Sequence, residues 1–282
     1  MHEPPIEGTT MDTFLATLTA CLERSIQASA GPRLAMPLVG SVTGTDLAAV
    51  SVFVVIIVAL NAVLALSLIH ISLDAIASSE GAYRGVACVE GSVNDAELAR
   101  LHAGGIRGIR FNFVKHLGGV PDLDVFHRLV ARIKPLGWHV VLHFDAEDIL
   151  TQHDLLGRID VPFIIDHMGR VKAADGLEQR PFQSLLDLFR RNPLAWVKVC
   201  GAERVSVGKR PFRDAVPFAQ ALIAVDSNRI LWGTDWPHPN ITKDMPNDGE
   251  LVDLFGEICP DAALRRRILV DNPTRMYWGE QS

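Results

Sequence analysis

The sequence predicts an α/β fold, an eight-stranded β/α (TIM-barrel-like) architecture in which the first strand is missing or replaced. Three observations carry this. From Ser79 onward, short apolar runs alternate with amphipathic stretches across short connections, the pattern of a parallel sheet covered by helices. No Gly-rich phosphate loop follows an early strand, as an open dinucleotide-binding sheet would require. Polar residues gather where the apolar runs stop, and the site of a β/α barrel is built at strand ends.

Upstream, a helix over Met11–Ser25 precedes a candidate strand over Arg33–Ser41. Tyr83–Glu90 reads as a strand, and a helix opens at Asn94 with Glu97 three residues on, a capping-box arrangement. Ile106–Asn112 is a strand, and Asp122–Lys134 a helix ended by Pro135-Leu136-Gly137. Trp138–Phe144 is a continuous apolar strand, followed by a helix over Glu147–Arg158. Pro162–Asp166 is a strand and Pro181–Arg191 a helix; Ala195–Cys200 is a strand and Pro211–Val225 a helix. Arg229–Gly233 is the last strand, with helices at Glu250–Ile258, Asp261–Val270 and after Asn272-Pro273. That is seven strands, one short of a barrel. The missing one should come first, and Val52–Val58 is a candidate to fill its place.

The 282 residues, 48% of them hydrophobic, suffice for one large core or two small ones. A net charge of −6 with no basic block argues against nucleic acid as a partner. Cys21, Cys88, Cys200 and Cys259 show no paired spacing and read as reduced thiols of an intracellular protein. Met1–Ala20 lacks the basic start and compact apolar core of a secretory signal, so a cytoplasmic location is expected. One feature departs from this picture: Leu47–Leu73 contains no Asp, Glu, Lys or Arg. By length it is a candidate membrane span, yet it is flanked by Asp46 and Asp74 without basic or aromatic anchors. Membrane span, buried core and foreign insertion all stay open, with buried core favoured.

The chemistry gathers around Ile230–Pro239, where a short apolar strand runs into Gly-Thr and then Asp235, flanked by Trp236 and His238. A carboxylate there suits a general base; taken alone it equally suits a turn or helix cap. Other strand ends carry Arg110 and Asn112, with Lys115 and His116 beyond; His143; Asp166 and His167; and Lys198 and Cys200, with Arg204 shortly after. Ser41 and Thr45 flank the earliest strand. Each has a plainer reading: Arg110 in an ion pair between helices, His143 as a core histidine, Asp166 as a cap, Lys198 facing out between helices. Together they describe a cationic pocket with a base in it. Asp235 can take a proton from water attacking a carbonyl, and His167 can donate to the developing oxyanion. Arg110 and Arg204 offer forks that match carboxylates. The set suits hydrolysis of a carboxylated lactone, and no Gly-x-Ser-x-Gly elbow points to a serine nucleophile. His143, His167 and Asp235 form an alternative zinc set, but no His-x-His pair supports it and no bound metal is the favoured expectation.

At these residues the chain resembles the amidohydrolase superfamily, and within it the 2-pyrone-4,6-dicarboxylate hydrolases. The matching segments are GIRGIRFNFVK (Gly105–Lys115), GWHVV (Gly137–Val141), IDHMGR (Ile165–Arg170), LWGTDWPHPN (Leu231–Asn240) and NPTRMYW (Asn272–Trp278). The likeness runs from Tyr83 to Trp278, and more faintly over Met11–Asp46 through Gly44-Thr45-Asp46; Leu73–Ala77 resembles the helix that follows that motif.

The resemblance implies one barrel domain over 1–282 with 47–72 as an atypical apolar insertion. It also implies a cytoplasmic, metal-free lactonase of lignin-derived aromatic breakdown that opens 2-pyrone-4,6-dicarboxylate; separately, a monomer or homodimer is expected. In that family Asp235 matches the water-activating base and His167 its carbonyl-polarising partner. Arg110 and Arg204 match carboxylate binders; Ser41, Lys115, His116 and His143 are further expected substrate contacts. The chain departs from the pattern in lacking the first-strand His-x-His, in having His116 where a second arginine is expected, and in having His143 where the pyrone hydrolases carry Tyr. The apolar run and the missing start also match a truncated or mis-assembled gene. A metal-dependent lactonase or decarboxylase, and an inactive or membrane-tethered remnant, are the competing functions.

Overall fold

The structure, a computed structural model, describes residues 62–114, 119–241 and 244–279. Six parallel strands form one sheet: β1 (Gly85–Ala87), β2 (Ile106–Asn112), β3 (His139–His143), β4 (Phe163–Ile165), β5 (Ala195–Lys198) and β6 (Ile230–Leu231). Their order in the sheet is their order in the chain. That is the winding of a β/α barrel; a doubly wound sheet reverses its strand order at a switch point. The predicted strand Arg33–Ser41, the helix Met11–Ser25 and the Val52–Val58 run lie outside the described residues.

Register decides which side chains meet. Gly108 lies opposite His139, Arg110 opposite Val141 and Asn112 opposite His143, while Val141 faces Ile164 and Ile164 faces Trp196. Because side chains alternate along a strand, Arg110, Asn112, His143 and Lys198 share one face and its carboxyl-terminal end. Below them on that face, Val86, Val141, Ile164, Trp196 and Leu231 pack with Tyr277. The opposite face, with Ile109, Val140, Leu142, Phe163, Ile165 and Val197, packs under the helices as the main core.

The connecting helices begin and end where the sequence supplies caps. Asn94 Oδ1 accepts the Glu97 N–H at 2.9 Å to open α2 (Asp95–Ala103), while the Glu97 carboxylate turns to Arg100 at 2.7 Å, so only half of the expected capping box forms. Asp122 caps α3 (Leu123–Ile133) by accepting from Asp124 and Val125, and Gly137 closes its C-terminal turn at φ 66°. The single helix expected over Glu147–Arg158 is instead α4 (Asp148–Thr151) and α5 (His153–Arg158), a bend at Gln152 that buries Ile149 together with Leu155 and Leu156. Next come α6 (Arg180–Arg191) and the short α7 (Ala202–Val205), which the sequence does not announce. The helix expected from Pro211 starts only at α8 (Val216–Val225), because buried Phe212 adopts φ 66° and no helix runs through a left-handed residue. The chain ends in α9 (Asp248–Ile258), α10 (Ala262–Arg266), a π-helical turn over Arg267–Asp271, and α11 (Asn272–Trp278).

The described end of the apolar run belongs to α1 (Ala62–Ser78), which precedes all of these. From Ile69 on it packs against the sheet: Ile69 and Ile76 are buried in the main core. A Cβ added at Gly105 would stand 2.7 Å from Ile76, and one at Gly104 2.4 Å from Leu73. Among the described residues no helix is long and apolar enough to cross a membrane.

Candidate active site

Asp166 lies at the centre of the cluster, one residue past β4 and almost fully buried. Arg110 Nη2 stands 3.1 Å from its Oδ2 and Lys198 Nζ 2.9 Å from its Oδ1. Burial alone would push the Asp166 carboxyl up, but Lys198 and Arg110 outweigh it and hold the group well below the usual range. The same pairing works in reverse on Lys198, which burial would discharge and Asp166 keeps protonated. The carboxylate therefore makes a bridge across β2, β4 and β5, and Lys198 faces the interior rather than the space between helices. Asp166 does not cap the turn it begins.

Beside this bridge, Asn112 Oδ1 receives both Arg110 Nε and His143 Nδ1 at 3.2 Å. His143 thus carries its proton on Nδ1 and turns Nε2 to Arg170 Nη1, 3.4 Å away. Arg170 in turn pairs with Asp145 at 3.0 Å. Burial first, then Arg110, pushes the His143 pKa down to about 3, so the ring is neutral at physiological pH.

His167 follows Asp166 in an unusual turn. His167, Met168, Gly169 and Arg170 take φ values of 51°, 53°, 65° and 50°, a left-handed stretch that costs about 1–2 kcal/mol at each non-glycine position. Strain of this kind concentrates where side chains must be aimed. Here it directs His167 inward, its ring 5.3 Å from that of His143 and nearly perpendicular to it. His167 Nδ1 is 3.4 Å from Cys200 Sγ, and Nε2 is 3.7 Å from Asp235 Oδ1. Burial holds the His167 imidazole neutral, well below its ordinary pKa, although Asp166 opposes this.

Asp235 sits four residues beyond the end of β6, at φ 64°, in a turn closed by the His238 N–H on its carbonyl at 2.8 Å. Arg204 grips one of its oxygens: Nε and Nη2 approach Oδ2 at 2.7 and 2.6 Å, and Nη2 also reaches the Pro239 carbonyl. The second oxygen, Oδ1, is left facing His167. Burial raises the Asp235 pKa from its ordinary value, and Arg204 limits the rise. Glu203, 3.6 Å from Arg204, is also raised by burial.

Asp235, His167, Arg204, Arg110 and His143 thus converge, as their positions at strand ends predict. Arg110 does so with its fork turned to Asp166 and Asn112. Lys115, His116, Ser41 and Thr45 lie outside the described residues. Arg170, Asp145 and the linking Asn112 belong to the same network; Arg170 ends the IDHMGR segment, which was the one available signal for it. The zinc set is poorly matched to this geometry. Both His143 nitrogens already face Asn112 and Arg170, and Asp235 Oδ2 is taken by a guanidinium, so cations of the protein stand where a metal would. Among the described residues no three His, Cys, Asp or Glu side chains converge as metal ligands.

A family model described as Amidohydrolase matches residues 58–278. The 2-pyrone-4,6-dicarboxylate hydrolase of Comamonas testosteroni is 43% identical over 216 residues, which cover 74% of this chain and 71% of that protein. The 4-sulfomuconolactone hydrolase of Rhizobium radiobacter is 39% identical over 210 residues, covering 73% and 70%. A structure from Acinetobacter baumannii, described as a probable 2-pyrone-4,6-dicarboxylic acid hydrolase with citric acid bound, superposes with a TM-score of 0.64 at 28% identity, covering 73% of this chain and 77% of that one. With its consecutive parallel strands and its match over most of its length, the chain belongs to the amidohydrolase family.

Proposed function

We propose that this protein hydrolyses the ring ester of a carboxylated lactone, with 2-pyrone-4,6-dicarboxylate as the first substrate to test, and that it does so with its own side chains and no metal. The observation that carries the reading is the division of Asp235: Arg204 holds Oδ2 while Oδ1 faces His167 Nε2 across 3.7 Å. A base and a hydrogen-bond donor then stand side by side. The names of the two hydrolase relatives support a lactone, and both of those substrates carry acidic groups. A related structure is described with citric acid, a tricarboxylate, bound, which fits a carboxylated substrate.

In this mechanism a water attacks the lactone carbonyl carbon and gives its proton to Asp235 Oδ1. The oxygen of the tetrahedral intermediate accepts a hydrogen bond from His167 Nε2. Collapse breaks the ring C–O bond, and the leaving oxygen takes the proton back from Asp235, which returns the base to its starting state. Burial raises the Asp235 pKa and so strengthens it as a base, provided it stays ionised. Arg204 orients Asp235 and is also assigned to a substrate carboxylate; Arg170, held by Asp145 and His143, offers a second fork. Arg110 contributes through Asp166, which fixes the floor of the site. Lys115, His116 and Ser41 are assigned to the remaining substrate contacts on the strength of the resemblance alone.

The test is turnover of 2-pyrone-4,6-dicarboxylate and of 4-sulfomuconolactone by metal-stripped protein, beside Asp235→Asn. A fall in kcat of about 10³-fold or more in the variant is expected, as for loss of a general base together with the charge beside it. Equal rates for the two proteins would remove Asp235 from the mechanism, and activity recovered only on adding zinc or manganese would favour the metal-dependent alternative.

A further inference from the structure

Cys200 is buried, lies two residues past β5, and meets the edge of His167 that faces away from Asp235. We propose that Cys200 is a positioning residue: its S–H donates to His167 Nδ1 and so holds the imidazole in the tautomer that carries its proton on Nε2. The inference rests on the hydrolase reading only for its consequence in catalysis; the tautomer itself follows from the contacts.

Three observations lead to it. His167 Nε2 faces a carboxylate oxygen at 3.7 Å, where a bare lone pair would be repelled and an N–H attracted. The ring is buried and neutral, so a proton on Nε2 leaves Nδ1 as an acceptor in need of a donor. Cys200 Sγ lies within reach of Nδ1, at 3.4 Å. Burial, reinforced by Asp166 and Asp235 and opposed by Lys198, keeps that sulfur a protonated thiol, which is a donor; a thiolate would be an acceptor and would select the other tautomer. Gly201, next in the chain, closes the same edge. Its φ of 69° lays its backbone on the ring, and a Cβ there would stand 2.7 Å from Nδ1. The Cys200-Gly201 pair thus docks one edge of the imidazole and presents the other, with its proton, to the space beside Asp235.

The experiment is nitrogen NMR of ¹⁵N-histidine-labelled protein at neutral pH, with His167→Gln used to assign the His167 signals, together with steady-state kinetics of Cys200→Ser and Cys200→Ala. The wild type is expected to show His167 with an unprotonated Nδ1 and a protonated Nε2. Cys200→Ser keeps a donor and is expected to retain that pattern and a kcat within a few-fold of wild type. Cys200→Ala is expected to show mixed tautomers and about a tenfold lower kcat with KM little changed. A wild-type His167 protonated on Nδ1 would overturn the proposal, and so would an alanine variant with an unmixed Nε2–H tautomer. The spectra decide the tautomer whether or not any lactone is turned over, so failure of the hydrolase reading and failure of this one are separately visible. If the alanine variant does not fold, the wild-type spectrum still decides.

Discussion

Replacing Gly201 by alanine tests how closely the site depends on the placement of His167. The added Cβ would stand 2.7, 3.0 and 3.1 Å from Nδ1, Cγ and Cβ of His167, whereas ordinary contact begins at 3.4 Å. The ring must therefore retreat by about 0.7 Å, taken as 3.4 minus 2.7 Å. Placing a side chain at φ 69° adds about 1–2 kcal/mol of left-handed strain, and overpacking a buried contact adds about 1–3 kcal/mol. A misplacement approaching 1 Å beside the reacting atoms costs up to about 10²-fold in rate, so a fall in kcat of about 30- to 100-fold is expected with KM less affected. Gly137→Ala is the control. Its φ of 66° and ψ of 24° lie in the same left-handed region as Gly201, but nothing lies within 4 Å of the new Cβ, so it carries the backbone strain without the clash. Chemical denaturation and lactone turnover, measured on both variants, separate the two effects. A Gly201→Ala protein with kcat within about threefold of wild type would refute the reasoning, since it would show that His167 can move that far without consequence.

The remaining predictions concern the buried charges. Lys198→Met removes one of the two cations on Asp166 and is expected to destabilise the fold by about 3 kcal/mol in urea unfolding, the lower end for breaking a buried pair because Arg110 remains; a loss below about 1 kcal/mol would contradict the bridge described here. His139 and His143 are both pushed down to about 3, mainly by burial. Their folded pKa lies below the unfolded one, so the unfolded chain takes up protons that the native state refuses. Stability should be complete above about pH 7 and fall as pH drops below the ordinary histidine value, by roughly 2 kcal/mol per histidine between pH 7 and 5. Urea titrations at the two pH values check it.

The strand Ile106–Asn112 was legible to its exact bounds because seven residues of unbroken β pattern end at a polar pair, and strands β3 to β5 were legible for the same reason to within one or two residues. Asn94 and Asp122 announced their helices because a cap is a local contact, made within three residues of chain. The bend at Gln152 and the late start of α8 were not legible. Both depend on which apolar residues the finished core accepts, and Phe212 takes a left-handed backbone to reach its place there. In the site, the list of strand-end polar residues was legible, whereas their pairings were not. Arg110 looks from sequence like a free fork for substrate, yet its guanidinium pairs with Asp166; Arg204, read the same way, clasps the proposed base.

What the sequence by itself determined was the alternation of strand and helix, the amidohydrolase likeness, and the set of groups delivered to the carboxyl ends of the strands. Period and capping are properties of neighbours along the chain, so they survive reading in one dimension. Only the tertiary structure decided which charge meets which. Residues 110, 166 and 198 come from three strands, and parallel register brings them within 3.1 Å of one another's charged atoms through Asp166. Likewise the two edges of His167 are allotted by the fold, one to Cys200 and Gly201 and the other to Asp235, because a left-handed turn after β4 aims the ring between two strand ends that lie far apart in the chain.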